Sequence, residues 1–328
     1  MQSPAVGLDI GRSAVKVCAY AEGKYYEVIF PSVVTEGFTL SDEGTARKAD
    51  LDTVELEGKV YFTGDTARLQ GNAASNSGLV DDWHATTDYR VLIASALKRL
   101  AAQGVMGLSD AYLIIGAPSK LYRTKKEQII EATRKVCPSA IIKLLPQPMG
   151  AFLYHGMDKT GLPIVERMKV PGVAVVDVGH YTTDFLLLLE QQNIERAAES
   201  CEGISIGAGH LARLLAEGGY EVSLLEASEA IHKKQIFQYG QVIDVTGQVE
   251  AALSFISQKI ISGAESALSK DVRKANWILI AGGGAEVVYP HLRAKWPNCV
   301  LLPDARMSVA KGFCYYGIGQ QRVAARTA

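Results

Sequence analysis

Two segments of this 328-residue chain repeat one pattern: Val6-Gly7-Leu8-Asp9-Ile10-Gly11-Arg12-Ser13-Ala14-Val15-Lys16, and Ala174-Val175-Val176-Asp177-Val178-Gly179-His180-Tyr181-Thr182-Thr183-Asp184. In each, an apolar run rich in β-branched residues reaches an Asp-apolar-Gly turn and returns, which predicts a β-hairpin. The glycine is expected to take positive φ, so that successive backbone N–H groups point into one concave space. A turn carrying a carboxylate, a glycine and hydroxyls suits a phosphate chain. Two such turns facing each other would hold a polyphosphate from both sides.

The chain can bury a large core: 48% of its residues are hydrophobic, and its length predicts two lobes of a soluble, globular protein. Lysine and arginine total 34 against 35 acidic residues, a formal net charge of −1. No global field therefore draws it to nucleic acid or an anionic membrane, and any contact with DNA is expected to be indirect. The run around Phe185-Leu186-Leu187-Leu188-Leu189 falls far short of the ~20 apolar residues of a membrane-spanning helix. Met1-Gln2-Ser3-Pro4 lacks the regions of a secretion signal, so the chain is expected in the cytoplasm, off the membrane. Cys18, Cys137, Cys201, Cys299 and Cys314 form no CxxC pair and have no histidine at metal-ligand spacing. They read as small, mostly buried hydrophobes.

After the first hairpin, Tyr25 to Phe30 predicts a strand ended by Pro31. From Thr35 to about Thr86 the chain is polar and glycine-rich, with a further hairpin over Val54 to Phe62, and reads as an inserted subdomain. Thr87 is expected to cap a helix with Val91, Leu92, Leu97 and Leu100 on one face, closing at Gly104. A strand over Tyr112 to Ile115, a charged helix near Arg123 to Lys135 and a strand over Ile141 to Leu145 predict a layered α/β architecture. Pro148 suits the first turn of a helix over Met149 to His155, whose small Gly150 and Ala151 allow a close crossing, as between two lobes.

A second lobe opens near Pro171, with helices expected at about Ile206 to Glu217, Leu224 to Lys234 and Thr246 to Leu268. The strand Trp277 to Ile280 then runs into Ala281-Gly282-Gly283-Gly284-Ala285-Glu286, a third candidate ligand loop with helix N-terminal amides behind it. The last helix is expected from Asp304 or Ala305, with a frayed tail from Gln321. The expected domains are residues 1–151 plus 305–328, with the insertion over about 35–86, and residues 152–304.

Singly, each Asp-apolar-Gly is an ordinary turn. Together, two hairpins, a Gln-Pro-x-Gly-Ala helix start, a triple-glycine turn and a small-residue final helix come in an order that resembles the actin, sugar kinase and Hsp70 superfamily. Asp9-Ile10-Gly11 with Lys16, Phe30-Pro31-Ser32, the stretch Val60 to Ala67, Asp82-Trp83 and Tyr89 are similar to the plasmid-segregation actin-like proteins, the ParM or StbA group. The resemblance implies a two-lobed actin-like (ribonuclease H-like) α/β fold, each lobe a mixed sheet with flanking helices, and a nucleotide cleft between lobes.

It also implies roles. Asp9 and Asp177 would hold Mg²⁺, mainly through its waters, since this ion wants hard oxygen ligands and keeps much of its hydration. The amides of residues 11–13 and 179–183, including those of Gly11, Arg12, Gly179, His180 and Tyr181, with the hydroxyls of Ser13, Thr182 and Thr183, would bind the phosphates of ATP. Lys16 would reach the β- or γ-phosphate as a point charge, or else face solvent. Gln147 stands where the superfamily places its water-positioning residue, although plasmid-segregation relatives often carry Glu there. Asp184 would polarise the same water or a magnesium ligand, or stabilise its own hairpin. Gly282, Gly283 and Gly284 would admit the base and the α-phosphate. Glu229 and Lys233, four apart on one helix face, would meet ribose and adenine or form an ordinary ion pair. The other histidines, His232 among them, receive no role.

The expected activity is ATP hydrolysis driving nucleotide-dependent homopolymeric filaments that move plasmid DNA through a DNA-binding adaptor protein, without direct nucleic-acid contact. The alternatives are a small-molecule kinase or polyphosphate-type phosphohydrolase on the same fold, or a non-filamentous partner module.

Overall fold

The structure, a computed structural model, describes residues 3–71 and 82–327. Residues 72–81 of the expected insertion lie outside the described residues. The chain packs as two units, Met1–Val165 with Val309–Ala328, and Glu166–Ser308.

In the first unit, β1 (Ala5–Ile10), β2 (Ala14–Ala21) and β3 (Lys24–Pro31) form an antiparallel meander, followed by β4 (Val34–Glu36). Then come α1 (Glu43–Ala49), β5 (Thr53–Leu56), β6 (Lys59–Thr63), α2 (Gly64–Gln70), α3 (Thr87–Ala102), β7 (Tyr112–Ala117), α4 (Ser119–Val136), β8 (Ile141–Pro146) and α5 (Gln147–Gly156). The main sheet has the order β3-β2-β1-β7-β8, while β4, β6 and β5 make a small sheet of their own in the insertion. Every residue of β1 is buried, as a central strand covered on both faces must be. The cap of α3 is Thr86, one residue before the threonine expected, its hydroxyl accepting from the Tyr89 amide.

The boundary falls at the start of α6 (Val165–Met168), and the second unit repeats the plan: β9 (Gly172–Val178), β10 (Thr182–Leu189), β11 (Gln192–Asn193), β12 (Ser200–Glu202), α7 (Ile204–Glu217), α8 (Leu224–Lys233), β13 (Gln235–Gln238), β14 (Gln241–Asp244), α9 (Thr246–Leu268), β15 (Trp277–Ala281), α10 (Ala285–Lys295) and β16 (Cys299–Leu301). Its sheet runs β11-β10-β9-β15-β16, with the first hairpin antiparallel and β15 and β16 parallel to β9, the same topology as the first. The sequence repeat is thus a repeat of architecture.

The chain then returns to the first unit through α11 (Ser308–Thr327). This helix starts later than expected: Asp304 is left-handed, at φ 47°, and residues 303–307 form turns before the helix begins. It also runs on through the tail expected to fray, where Gln321 Nε2 donates to the Ser3 carbonyl. Close approach seats it. A Cβ on Gly7 would lie 2.1 Å from the Ala310 carbonyl oxygen, and one on Gly312 would lie 1.8 Å from that of Gly150. The small residue of α5 therefore serves a crossing with α11 inside the first unit. Among the described residues no helix is long and apolar enough to cross a membrane.

Candidate functional site

The first hairpin places Asp9 directly opposite Lys16, so both side chains stand on one face of the sheet. The Lys16 Nζ lies 2.7 Å from Asp9 Oδ2, and only 2% of Asp9 is exposed. Gln147, the first residue of α5, donates from Nε2 to the other carboxylate oxygen, Oδ1, at 2.6 Å. Its stem is held by close packing: a Cβ on Gly116 of β7 would come within 3.0 Å of Gln147 Cγ. Lys16 from the same hairpin and Gln147 from 138 residues away thus converge on the Asp9 carboxylate. Tyr89 is buried nearby, and burial, then the negative charge of Asp9, pushes its hydroxyl pKa up.

The turns correct one expectation. Neither Gly11 nor Gly179 has positive φ. Their reason is steric: a Cβ on Gly11 would lie 2.9 Å from the Ala14 carbonyl oxygen, and one on Gly179 would lie 2.6 Å from that of Thr182. Each glycine N–H bonds the same carbonyl, Gly11 to Ala14 at 3.1 Å and Gly179 to Thr182 at 2.9 Å. The two glycine amides are therefore committed inside their own hairpins and drop out of the expected set of phosphate donors.

What remains follows from peptide geometry, because in a planar trans peptide the N–H points opposite to the C=O before it. The carbonyls of Gly179, His180 and Tyr181 accept from the amides of Ile204, Ser205 and Gly203 at the start of α7. The His180 and Tyr181 amides consequently face away from α7. In the first turn, Ser32 Oγ donates to the Gly11 carbonyl at 2.5 Å, which turns the Arg12 amide away from Ser32. Ser13 is exposed beside it.

In the second hairpin, Asp177 pairs across the strands with Asp184, and both carboxylates are buried. Asp184 accepts from Thr182 Oγ1 at 3.0 Å and Ser200 Oγ at 2.6 Å. Thr183 is fully buried and its hydroxyl donates to the Glu202 carbonyl, which withdraws it from the expected phosphate ligands. The triple-glycine turn closes directly over this hairpin. Gly282 has φ 91°, and a Cβ on it would lie 2.5 Å from Asp177 Oδ1, while one on Gly284 would strike Ile204 and Val178. Close approach at these two positions is thus to the chain itself, and their amides bond the carbonyls of Ala305 and Val178. Only at Gly283 is there room, with Arg306 Cγ 4.0 Å from an added Cβ.

Glu229 and Lys233 on α8 pair with each other at 2.7 Å. The sequence assigns no role to His232, which lies next to Lys233 on the same helix. Desolvation and then His232 lower the pKa of His180, while desolvation and then Arg306 lower that of His232, with Glu286 opposing. His180 and His232 are thus electrostatic neighbours, a link between turn and helix that no sequence spacing announces.

Taken by itself, each hairpin carries the donor types that a phosphate group with a hard divalent ion takes. The first hairpin offers the Asp9 carboxylate and the second those of Asp177 and Asp184, and the Arg12, His180 and Tyr181 amides face away from Ser32 and α7. Among the described residues no three His, Cys, Asp or Glu side chains gather as a metal cluster, so such an ion would take most of its shell from water and phosphate, as Mg²⁺ does.

Comparison with known proteins agrees with the fold. Residues 7–150 match the family model for the actin like proteins N terminal domain, and residues 175–294 match that for the archaeal actin homologue MreB-like C-terminal domain. Among solved structures, a 15-stranded ParM filament from Clostridium botulinum is 20% identical with a TM-score of 0.76, covering 97% of this chain and 99% of that one. An archaeal actin homolog in complex with ADP is 18% identical with a TM-score of 0.69, covering 98% and 99%. ParM from Bacillus thuringiensis with AMPPNP is 12% identical with a TM-score of 0.67, covering 98% and 100%. No curated protein matches the sequence. With one actin-type domain matched in each unit and the doubled sheet topology to carry them, the chain belongs to the actin-like proteins.

Proposed function

We propose that this protein binds Mg-ATP through both hairpins, hydrolyses it to ADP and phosphate, and assembles with further copies of itself into a nucleotide-dependent filament. Its cellular task, on this reading, is to move plasmid DNA in the cytoplasm through a DNA-binding adaptor. The observation that carries the reading is the convergence of Lys16 and Gln147 on Asp9. One carboxylate, one cation and one amide at a glycine turn are the parts that phosphate binding and water alignment require. The filament and nucleotide parts draw on the fold neighbours, one described as a filament and others as complexes with ADP and AMPPNP.

In this mechanism the outward amides of Arg12, His180 and Tyr181 and the hydroxyl of Ser13 receive phosphate oxygens, with Lys16, held beside Asp9, as a point charge. Asp9 and Asp177 would hold the metal's waters, and Asp184, held by Thr182 and Ser200, would polarise the attacking water or a magnesium ligand. Mg²⁺, when bound, would supply charge neutralisation on the phosphates. Gln147 aligns a water with the γ-phosphorus; the P–O bond to the β-phosphate breaks as the new one forms, and a proton leaves with inorganic phosphate. Loss of the γ-phosphate removes contacts to both hairpins, the logic by which nucleotide switches loosen. A head-to-tail contact that does not close a ring then gives a helical polymer.

The test is phosphate release without any added acceptor, with sedimentation and electron microscopy in ATP, in ADP and without nucleotide. Phosphate release together with ATP-dependent pelleting supports the reading. Particles that stay monomeric over a wide concentration range remove the filament, and absence of phosphate release removes the ATPase.

A further inference from the structure

We propose that Asp9 is a positioning residue that decides which end of the Gln147 amide meets the attacking water. The inference rests on the hydrolytic reading above and deepens it. A carboxylate only accepts hydrogen bonds, and the only donor on a glutamine side chain is its NH2. The 2.6 Å contact between Gln147 and Asp9 Oδ1 therefore fixes Nε2 inward and Oε1 outward, whatever the ambiguity of amide ends elsewhere.

Asp9 is itself held. Its Oδ2 lies 2.7 Å from the Lys16 ammonium, and the carboxylate is buried at the end of β1, a fully buried central strand. Gln147 has little freedom to escape the arrangement, being 8% exposed at the first turn of α5 with its Cγ packed over Gly116. Among the described residues no other hydrogen bond to its side chain competes. The consequence is an outward acceptor. A carbonyl oxygen accepts a hydrogen bond from the attacking water and so leaves the water's lone pair aimed at phosphorus, whereas an outward NH2 would occupy that lone pair.

The ammonium makes the claim testable. In Asp9→Asn, Lys16 can be met only by the introduced carbonyl oxygen, so the introduced NH2 turns to Gln147 and forces its amide to reverse. Adding Gln147→Glu to Asp9→Asn puts a carboxylate opposite that NH2 and restores an outward acceptor. We expect Asp9→Asn to lower turnover at saturating Mg-ATP on the order of 100-fold, the scale of a misaligned reactant. The double variant should recover roughly tenfold or more of that loss, with the nucleotide dissociation constant the same in both variants, whereas a merely structural defect would not be mended by a second substitution.

A readout without nucleotide accompanies it. The Gln147 side-chain NH2 resonance, assigned by its loss in Gln147→Glu, should be slowed in hydrogen exchange in the unmodified chain and shifted in Asp9→Asn. An NH2 signal unchanged by Asp9→Asn, or a double variant no faster than Asp9→Asn alone, overturns the inference. Failure of the unmodified chain to release phosphate would overturn the hydrolytic reading and this inference together; release without recovery overturns this inference only.

Discussion

Gly11 and Gly179 show how much one missing methyl group decides. Each sits where a carbonyl three residues ahead turns back onto it, and each gives its N–H to that same carbonyl. Gly179→Ala should therefore weaken the second hairpin by about 1–3 kcal/mol, the usual penalty of forced overpacking, measurable as a lower urea midpoint at unchanged m-value. Asp177→Ala acts on chemistry instead. It should cut Mg-ATP turnover by at least tenfold, while circular dichroism shows the fold retained; an unaltered rate would take Asp177 out of the site. The histidine pair gives a pH signature. Desolvation lowers the native pKa of His180 and of His232 below the ordinary 6.5, so the unfolded chain binds more protons as pH falls. Stability from both is complete above that value and is lost as acid approaches their native pKa. His180→Gln should flatten the acid limb of a melting-temperature profile below about pH 6.5, and an identical limb would refute it.

At the scale of elements, α11 depends on close backbone approach. Its Gly312 lies against the Gly150 carbonyl of α5, and Gly7 of β1 admits its Ala310 and Cys314. Gly312→Ala should cost about 3 kcal/mol, read as a fall in melting temperature, since neither backbone can give way cheaply. How much of this was legible beforehand follows the range of the forces involved. The paired hairpins, the α9 helix over Thr246 to Leu268 and the strand into the glycine turn are written in local periodicity and punctuation, and they stand where expected. The start of α11 is not legible because the turns over residues 303–307, with Asp304 left-handed, leave no mark in an otherwise helical composition. Gln147 and Lys16 could be chosen as candidates, yet their meeting on Asp9 depends on β1 lying between β2 and β7, a tertiary fact. The purpose of Gly11, Gly282 and Gly284 was equally hidden: only folded neighbours reveal that the space denied to a side chain is filled by the protein itself. His232 lay out of reach for the same reason, since its neighbours come from a turn, another helix and the segment before α11.

For the whole molecule, the proposed nucleotide makes a thermodynamic demand. A ligand at one hundred times its dissociation constant stabilises the state it binds by about 2.7 kcal/mol. If both hairpins hold the same triphosphate, scanning calorimetry with Mg-ATP should raise the unfolding of both units, and a shift confined to one would break the shared-ligand idea. The first unit has another property of its own. It is discontinuous, with β1 near one end of the sequence and the helix that covers Gly7 near the other. Ribosomal synthesis at about 5–20 residues per second separates the two by roughly 15 to 60 seconds, while the whole second unit emerges in between. During that interval the nascent sheet must wait with a greasy flank bare, so this protein's birth asks for a guardian that its finished form does not.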